Sequence, residues 1–316
     1  MRVDVAGVEL TDPVLLASGI LGSTGASLNR AFREGAGGVV TKSVGPRERE
    51  GHPGPNVFVD DSEEYALNAV GLSNASDGFT EEVERVEGQC PTVVSVFGGT
   101  AEEFAGVART FEPYADAFEL NVSCPHAEGY GVAIGADPEL TRRVTAAVSE
   151  AVDVPVWVKM TPDVADVTEI GVAAQEGGAD AVVATNTLSA MAIDTESGRP
   201  ILGNVHGGLS GSALKPVAVR CVYDLYDALD VPVVGVGGVS SAEDAVEYML
   251  AGASAVEVGT AVWDGGVEVL GGIADGIEEY KKRKGLSHDE LVGRAHELAA
   301  KDAQKERDVD DPQGDE

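Results

Sequence analysis

Eight short runs of β-branched and small apolar residues, spaced so that a helix fits between most of them, constrain this chain more than any other feature. They are Val14–Ala17, Val39–Lys42, Thr92–Val96, Ala117–Leu120, Val156–Lys159, Ala181–Thr185, Val233–Val236 and Ala255–Val258. Runs of this length that do not alternate with polar residues suit strands covered on both faces, as in a parallel sheet wrapped by helices. Helix signals fall between them. Leu28–Glu34 is helical in pattern, Thr100 with Glu103 predicts a capping box, and Asp137-Pro138-Glu139 supplies a cap, a first-turn proline and an acid. Ser240 or Ser241 opens another helix, and Gly-rich turns at 177–180 and 251–254 lead into the sixth and eighth strands. Eight such units predict an α/β fold, the (β/α)8 TIM barrel. The competing doubly wound open sheet needs no eighth strand and favours a Gly-rich dinucleotide loop near the first, which is missing.

Three departures from the repeat frame the barrel. Arg2–Leu10 alternates around Gly7 as an N-terminal hairpin would, until Asp12-Pro13 breaks it. Residues 45–74 and 189–211 exceed a single crossover, and long βα insertions fall on the catalytic face, so both are expected over the active site. After residue 280 the pattern changes. Residues 1–280 are therefore read as the barrel, and 281–316 as a peripheral helix near His288–Ala300 followed by an acidic disordered tail.

Charge narrows the function. Lys and Arg number 22 against 54 Asp and Glu, a formal charge of -32, and such a surface repels nucleic acid and anionic membranes. The same bias resembles adaptation to a high-salt cytoplasm. Cys90, Cys124 and Cys221 form neither a disulfide framework nor a metal-ligand spacing, and no run approaches a membrane span. A soluble, reducing, cytoplasmic setting is expected.

Barrel active sites gather at the C-terminal ends of strands, and those ends carry Ser18, Lys42, Ser95, Asn121, Cys124, Lys159, Asn186, Thr187, Gly237, Gly238, Gly259 and Thr260. Before Lys281 the only lysines are Lys42, Lys159 and Lys215, so each survivor is a candidate for a specific charge; an ordinary ion pair is the alternative. Gly237-Gly238 and Gly259-Thr260 stand where barrels bind phosphate. The lysines suit an anionic reduced ring, and the asparagines with Thr187 suit a planar ligand with amide edges. Cys124 can be a general base or a small buried hydrophobe.

These motifs in combination resemble the class 1 dihydroorotate dehydrogenases, in particular B-type catalytic chains and their archaeal relatives. The resemblance runs from about Val3 to Ile273 and rests on "LLASGILG", "VVTKSVG", "LNAVGLSN", "ELNVSCPH", "VWVKMTPDV", "TNTLSAMAID", "GGLSGSALKPVAVR", "VVGVGGVSSAEDA" and "AGASAVEVGTAV". It implies an FMN-dependent enzyme that oxidises dihydroorotate to orotate in pyrimidine biosynthesis. Cys124 would take the proton from substrate C5 while hydride leaves C6 for the flavin, and Lys159 would stabilise the reduced ring. Lys42, Asn68, Ala69, Val70, Gly71, Leu72, Asn121, Asn186 and Thr187 would hold the substrate. Ser18, Lys42, Ser43, Asn121, Lys159, Thr185, Gly211, Gly237, Gly238, Gly259 and Thr260 would hold FMN.

The resemblance also implies a partner. With no cysteine cluster and no dinucleotide fingerprint here, any NAD reduction would use a separate electron-transfer subunit with FAD and an iron-sulfur centre, in a heterotetramer of two catalytic and two electron-transfer chains built on a catalytic homodimer; the A-type arrangement, a homodimer that uses fumarate, is the alternative. Ala75-Ser76 replaces the usual continuation of the substrate loop, Ser95 replaces an asparagine expected on FMN, and His126 follows Cys124-Pro125. A cysteine base and no N-terminal amphipathic extension separate the chain from the membrane-bound class 2 enzymes. The alternatives are a dihydropyrimidine dehydrogenase-like flavin barrel acting on uracil or thymine, and a non-redox phosphate-binding barrel.

Overall fold

The computed structural model describes residues 2–49, 51–60, 62, 64–72, 74–123 and 132–310. Cys124 and His126, together with the acidic end at 311–316, lie outside the described residues. Eight parallel strands close into a ring: β1 (Val14–Leu16), β2 (Gly38–Val40), β3 (Thr92–Val96), β4 (Ala117–Asn121), β5 (Val156–Lys159), β6 (Ala181–Ala184), β7 (Val233–Val236) and β8 (Ala253–Val258). Each pairs with its neighbours in chain order, and β8 returns to β1 with Glu257 opposite Leu15. The chain is a (β/α)8 barrel.

Period-two alternation divides each strand between two cores. Leu15, Val40, Val93, Ala117, Trp157, Val183, Val234 and Ala255 fill the barrel interior, and Val3, Val5, Val8 and Leu10 of the N-terminal hairpin close its lower end. Their alternates, among them Leu16, Val39, Val94, Phe118, Val158 and Val256, pack outward against the helices. At about 1.5–3 kcal/mol for each large apolar side chain buried, both layers contribute to holding the ring closed.

The helices begin where local chemistry supplies a cap. Thr24 caps Gly25–Arg33, Asp137 caps Pro138–Ser149, Asp166 caps Val167–Glu176, and Ser241 forms a full capping box with Asp244 for Ala242–Ala251. Thr100 caps Ala101–Phe111 by accepting from the Glu103 amide. The reciprocal half differs from the expected box, because the Glu103 carboxylate accepts from the Gly99 amide at 2.8 Å, one residue earlier.

The two long insertions pair with each other, which their separate positions in the chain do not reveal. Strands Val57–Val59 and Ala66–Asn68 from the first, with Leu188–Ala190 and Gly207–Ser210 from the second, form one four-stranded antiparallel sheet. Asn68 stands opposite Gly208 in this sheet, and Leu188 opposite Leu209. Two segments about 140 residues apart (68 against 208) are thereby tied together at the barrel mouth.

Past the barrel, the helix Val269–Lys284 runs through the expected boundary at residues 280/281, and Lys281 is buried. His288–Leu291 and Arg294–Asp310 follow. Two histidines dock this segment: His288 Nε2 lies 2.8 Å from the Ser254 carbonyl, and His296 Nε2 lies 3.0 Å from that of Ala251 while its ring stacks on Tyr223. Among the described residues no helix is long and apolar enough to cross a membrane.

Candidate active site

A cleft opens at the C-terminal rim of the barrel, where the backbone leaves each strand and side chains are aimed by rigid elements. Lys42, Ser43, Asn68, Val70, Gly71, Leu72, Asn121, Lys159, Thr185, Asn186 and Thr187 all line it, as do Ser18, Gly237, Gly238, Gly259 and Thr260. Ala69 and Gly211 do not reach its wall. Ala69 is fully buried among Leu67 and Leu202, and Gly211 lies directly behind Gly238.

A chain of polar contacts crosses the floor. Asn121 Nδ2 donates to Ser43 Oγ at 3.0 Å, and Ser43 Oγ lies 2.9 Å from Ser95 Oγ and 3.4 Å from Ser18 Oγ. On the other side Asn186 Nδ2 donates to Ser123 Oγ at 2.8 Å, and Asn186 Oδ1 accepts from the Thr187 amide at 2.7 Å. The asparagine amides are thus held in place by hydroxyls beneath them, with their conformational entropy already lost before any ligand arrives. Ser95 supports Ser43 from below and is not part of the cleft wall.

Lys159 is the most unusual residue. It is only 5% exposed, yet it borders the cleft, and beneath it two carboxylates are wholly buried inside the barrel. Lys159 Nζ lies 2.7 Å from Glu257 Oε2 and 3.2 Å from Glu119 Oε2. Burial alone would push the lysine down, but the two carboxylates outweigh it and hold its pKa above the usual lysine range. Glu257 is pushed up to about 8, first by burial and then by the negative charge of Glu119. Lys215, by contrast, is an ordinary clamp between helices, 2.6 Å from Asp244 and 2.9 Å from Glu247.

The remaining thiols take the bland reading. Cys90 and Cys221 are buried and free, and burial raises both, Cys90 to about 12, so neither supplies a thiolate near neutrality. Cys124 follows β4 three residues after Asn121, but lies outside the described residues.

Opposite the lysines, the glycine loops leave room for a backbone-cradled anion. Gly238 has φ +69°, and a Cβ there would stand 2.6 Å from the Gly211 carbonyl, so only glycine fits this bend. A Cβ at Gly259 would meet nothing closer than 3.8 Å, which leaves its face open to the cleft. Thr185 Oγ1 is buried at the cleft with no partner among the described residues, as a hydroxyl that meets a ligand would be. These donors, an ammonium and a rigid amide floor are what a planar cofactor carrying a phosphate would need. Among the described residues no group of three or more His, Cys, Asp or Glu could hold a metal ion.

Several residues of the site were not anticipated from the strand ends. Ala17, Gly19, Ile20, Ser210, Leu214, Val236 and Trp263 add to the wall, and Ser123 joins the polar floor. The carboxylates had a signal: Glu119 and Glu257 are the charged residues at inward positions of two mostly apolar strands. Gly208 had none, since the need for glycine there arises from Thr187, whose Oγ1 would be 2.0 Å from an added Cβ.

A family model described as dihydroorotate dehydrogenase matches residues 1–280. The dihydroorotate dehydrogenase B (NAD(+)) catalytic subunit of Methanosarcina mazei is 58% identical over 300 residues, 93% of this chain and 95% of the relative. The proteins of the same name from Methanothermobacter thermautotrophicus and Pyrococcus abyssi are each 48% identical, covering 94% and 93% of this chain and 99% of each relative. With similarity of this extent on a barrel of this construction, the chain belongs to the dihydroorotate dehydrogenase family, class 1, and within it to the B-type catalytic chains, which makes it an oxidoreductase.

Proposed function

We propose that this chain oxidises dihydroorotate to orotate with FMN in the rim cleft, and that a separate electron-transfer subunit carries the electrons to NAD. The observation that carries this reading is the convergence of Lys42, Lys159, Asn121, Asn186, Thr187 and the Gly237-Gly238 and Gly259-Thr260 loops on one cleft. The names of the relatives favour it over uracil or thymine reduction and over a non-redox barrel.

In this reading Gly211, Gly237, Gly238, Gly259 and Thr260 hold the FMN phosphate, and Ser18, Ser43, Thr185, Asn121, Lys42 and Lys159 its ring and ribityl chain. When bound, FMN supplies the acceptor for the hydride from C6 of dihydroorotate. Cys124 takes the C5 proton as general base. Asn68, Asn121, Asn186 and Thr187 orient the planar amide edges of the substrate, with Ala69, Val70, Gly71 and Leu72 shaping the loop over it. The Lys42 ammonium attracts its carboxylate, and the Lys159 ammonium opposes negative charge that develops in the ring above it.

The catalytic chain is proposed as a homodimer within a heterotetramer with two electron-transfer subunits that carry FAD and an iron-sulfur centre. A cytoplasmic location, adaptation to high salt and a division into a catalytic barrel at 1–280 and an appendage at 281–316, joined by the continuous helix Val269–Lys284, complete the proposal. Anaerobic mixing of the purified protein with dihydroorotate tests it. Bleaching of a yellow chromophore with release of orotate is expected. A colourless protein, or a chromophore bleached by uracil's dihydro form and not by dihydroorotate, overturns it.

A further inference from the structure

Two acidic side chains are buried without a complete set of partners inside the barrel. Glu119 on β4 and Glu257 on β8 are both 0% exposed, and each gives one oxygen to Lys159 Nζ. The other oxygen of each, Oε1, is buried with no donor among the described residues. An ionised carboxylate only accepts hydrogen bonds, so two carboxylates around one ammonium leave lone pairs unsatisfied in an apolar interior. One proton on one of them supplies the missing donor and removes the excess negative charge.

Beside Glu119 stand Ser95 on β3, whose hydroxyl is taken up by Ser43, and Trp157 on β5, whose buried Nε1 also lacks a partner; among the described residues neither hydrogen-bonds a carboxylate. At the level of Glu257, β1 presents Leu15 and β7 presents Val236. Trp157, Val183 and Val234 line the same interior, and the charged groups that act on Glu257 are Glu119 and Lys159. The triad is therefore a closed electrostatic unit whose ammonium alone borders the cleft.

We propose that Glu119 and Glu257 are positioning residues which share one proton, fix the Lys159 ammonium at the barrel mouth, and so set the charge felt by the flavin. With the shared proton in place the triad is neutral and turns its positive end to the cleft. When that proton leaves, the triad becomes an anion below the ring, and the reduced, negatively charged flavin is disfavoured. The reduction potential should then fall more steeply with pH above the titration of Glu257 than below it. This inference rests on FMN occupying the cleft, as proposed above.

The test follows the FMN midpoint potential from pH 6 to about pH 9.5 in the wild-type protein, Glu257→Gln and Glu119→Gln, with thermal unfolding of the same preparations over the same range. The wild type should show a break in potential near pH 8, the value to which Glu257 is pushed, and a stability that declines as pH rises to about 8 and levels off above it. Glu257→Gln mimics the protonated form and should abolish both breaks. Glu119→Gln removes the neighbouring charge that raises Glu257, so its break should move down by more than about one pH unit. A wild-type potential with no break, or a Glu257→Gln protein that keeps the wild-type break, overturns the inference. Should Glu119→Gln fail to fold, the Glu257→Gln comparison decides alone. A preparation that takes up no FMN defeats the proposed function instead, while its unfolding profile still tests the shared proton.

Discussion

Replacing Lys159 by methionine keeps most of the side-chain volume and removes the ammonium, leaving two wholly buried carboxyl groups with no counter-charge. At 3.2 Å from Glu119 and an effective dielectric of about 20, the lost attraction is roughly 5 kcal/mol. The protein can avoid a bare buried charge by binding one more proton than the wild type. Holding that proton on a group with an unfolded pKa of about 4.3 costs about 1.4 kcal/mol per pH unit, which comes to about 5 kcal/mol at pH 8 and about 1.6 kcal/mol at pH 5.5. The lost attraction and the cost at pH 8 both agree with the roughly 3–5 kcal/mol seen when a buried ion pair loses one partner. The sign is fixed: a carboxyl whose folded pKa is raised contributes stability below its unfolded pKa, and that stability is lost as pH rises toward the folded value. Thermal unfolding by circular dichroism, at constant salt, should therefore show Lys159→Met melting about 6–10 °C below the wild type at pH 8, taking about 2 °C per kcal/mol. At pH 5.5 the deficit should shrink to about 3 °C. A deficit equal at the two pH values, or one under about 2 °C at pH 8, refutes the buried-triad reasoning.

Other expectations follow from the same structure and from the proposed roles. Cys124→Ser should retain the FMN absorbance but slow its bleaching by dihydroorotate by about 10²-fold or more near neutral pH, read by anaerobic stopped flow. Gly238→Ala places a Cβ 2.6 Å from the Gly211 carbonyl at φ +69°, and the strain of about 1–2 kcal/mol should weaken FMN binding by about tenfold, measured by flavin release on dilution. A formal charge of -32 is screened over about 3 Å at 1 M salt but over about 10 Å at 0.1 M, so the melting temperature should rise steadily with salt; a flat profile removes the high-salt adaptation.

The strands were readable in advance because each is a local apolar run. Thr92–Val96, Val156–Lys159 and Val233–Val236 coincide with the runs, while Ala253–Val258 starts two residues early and Gly38–Val40 stops short of Lys42. The caps were equally local, since Asp137 and Ser241 each accept from the backbone amide three residues on. The Glu103 contact slipped by one residue because either Gly99 or Thr100 offers an amide within its reach, a choice made by the loop geometry.

The rim residues Lys42, Asn121, Lys159, Asn186 and Thr187 were legible for a topological reason: in a parallel barrel every strand's C-terminal end arrives at the same mouth, so position along the chain fixes position in space. Contacts between strands carry no such signature. The joining of the insertions through Asn68 and Gly208, the requirement for glycine opposite Thr187, and the meeting of Glu119, Lys159 and Glu257 from three strands all depend on distances across the ring. Sequence order thus determined the barrel and the face on which its site lies, because hydrophobic period and strand ends are local properties. Closure of the ring alone decided which buried charges face one another, because that pairing is set by interior packing between residues up to 138 positions apart (119 to 257).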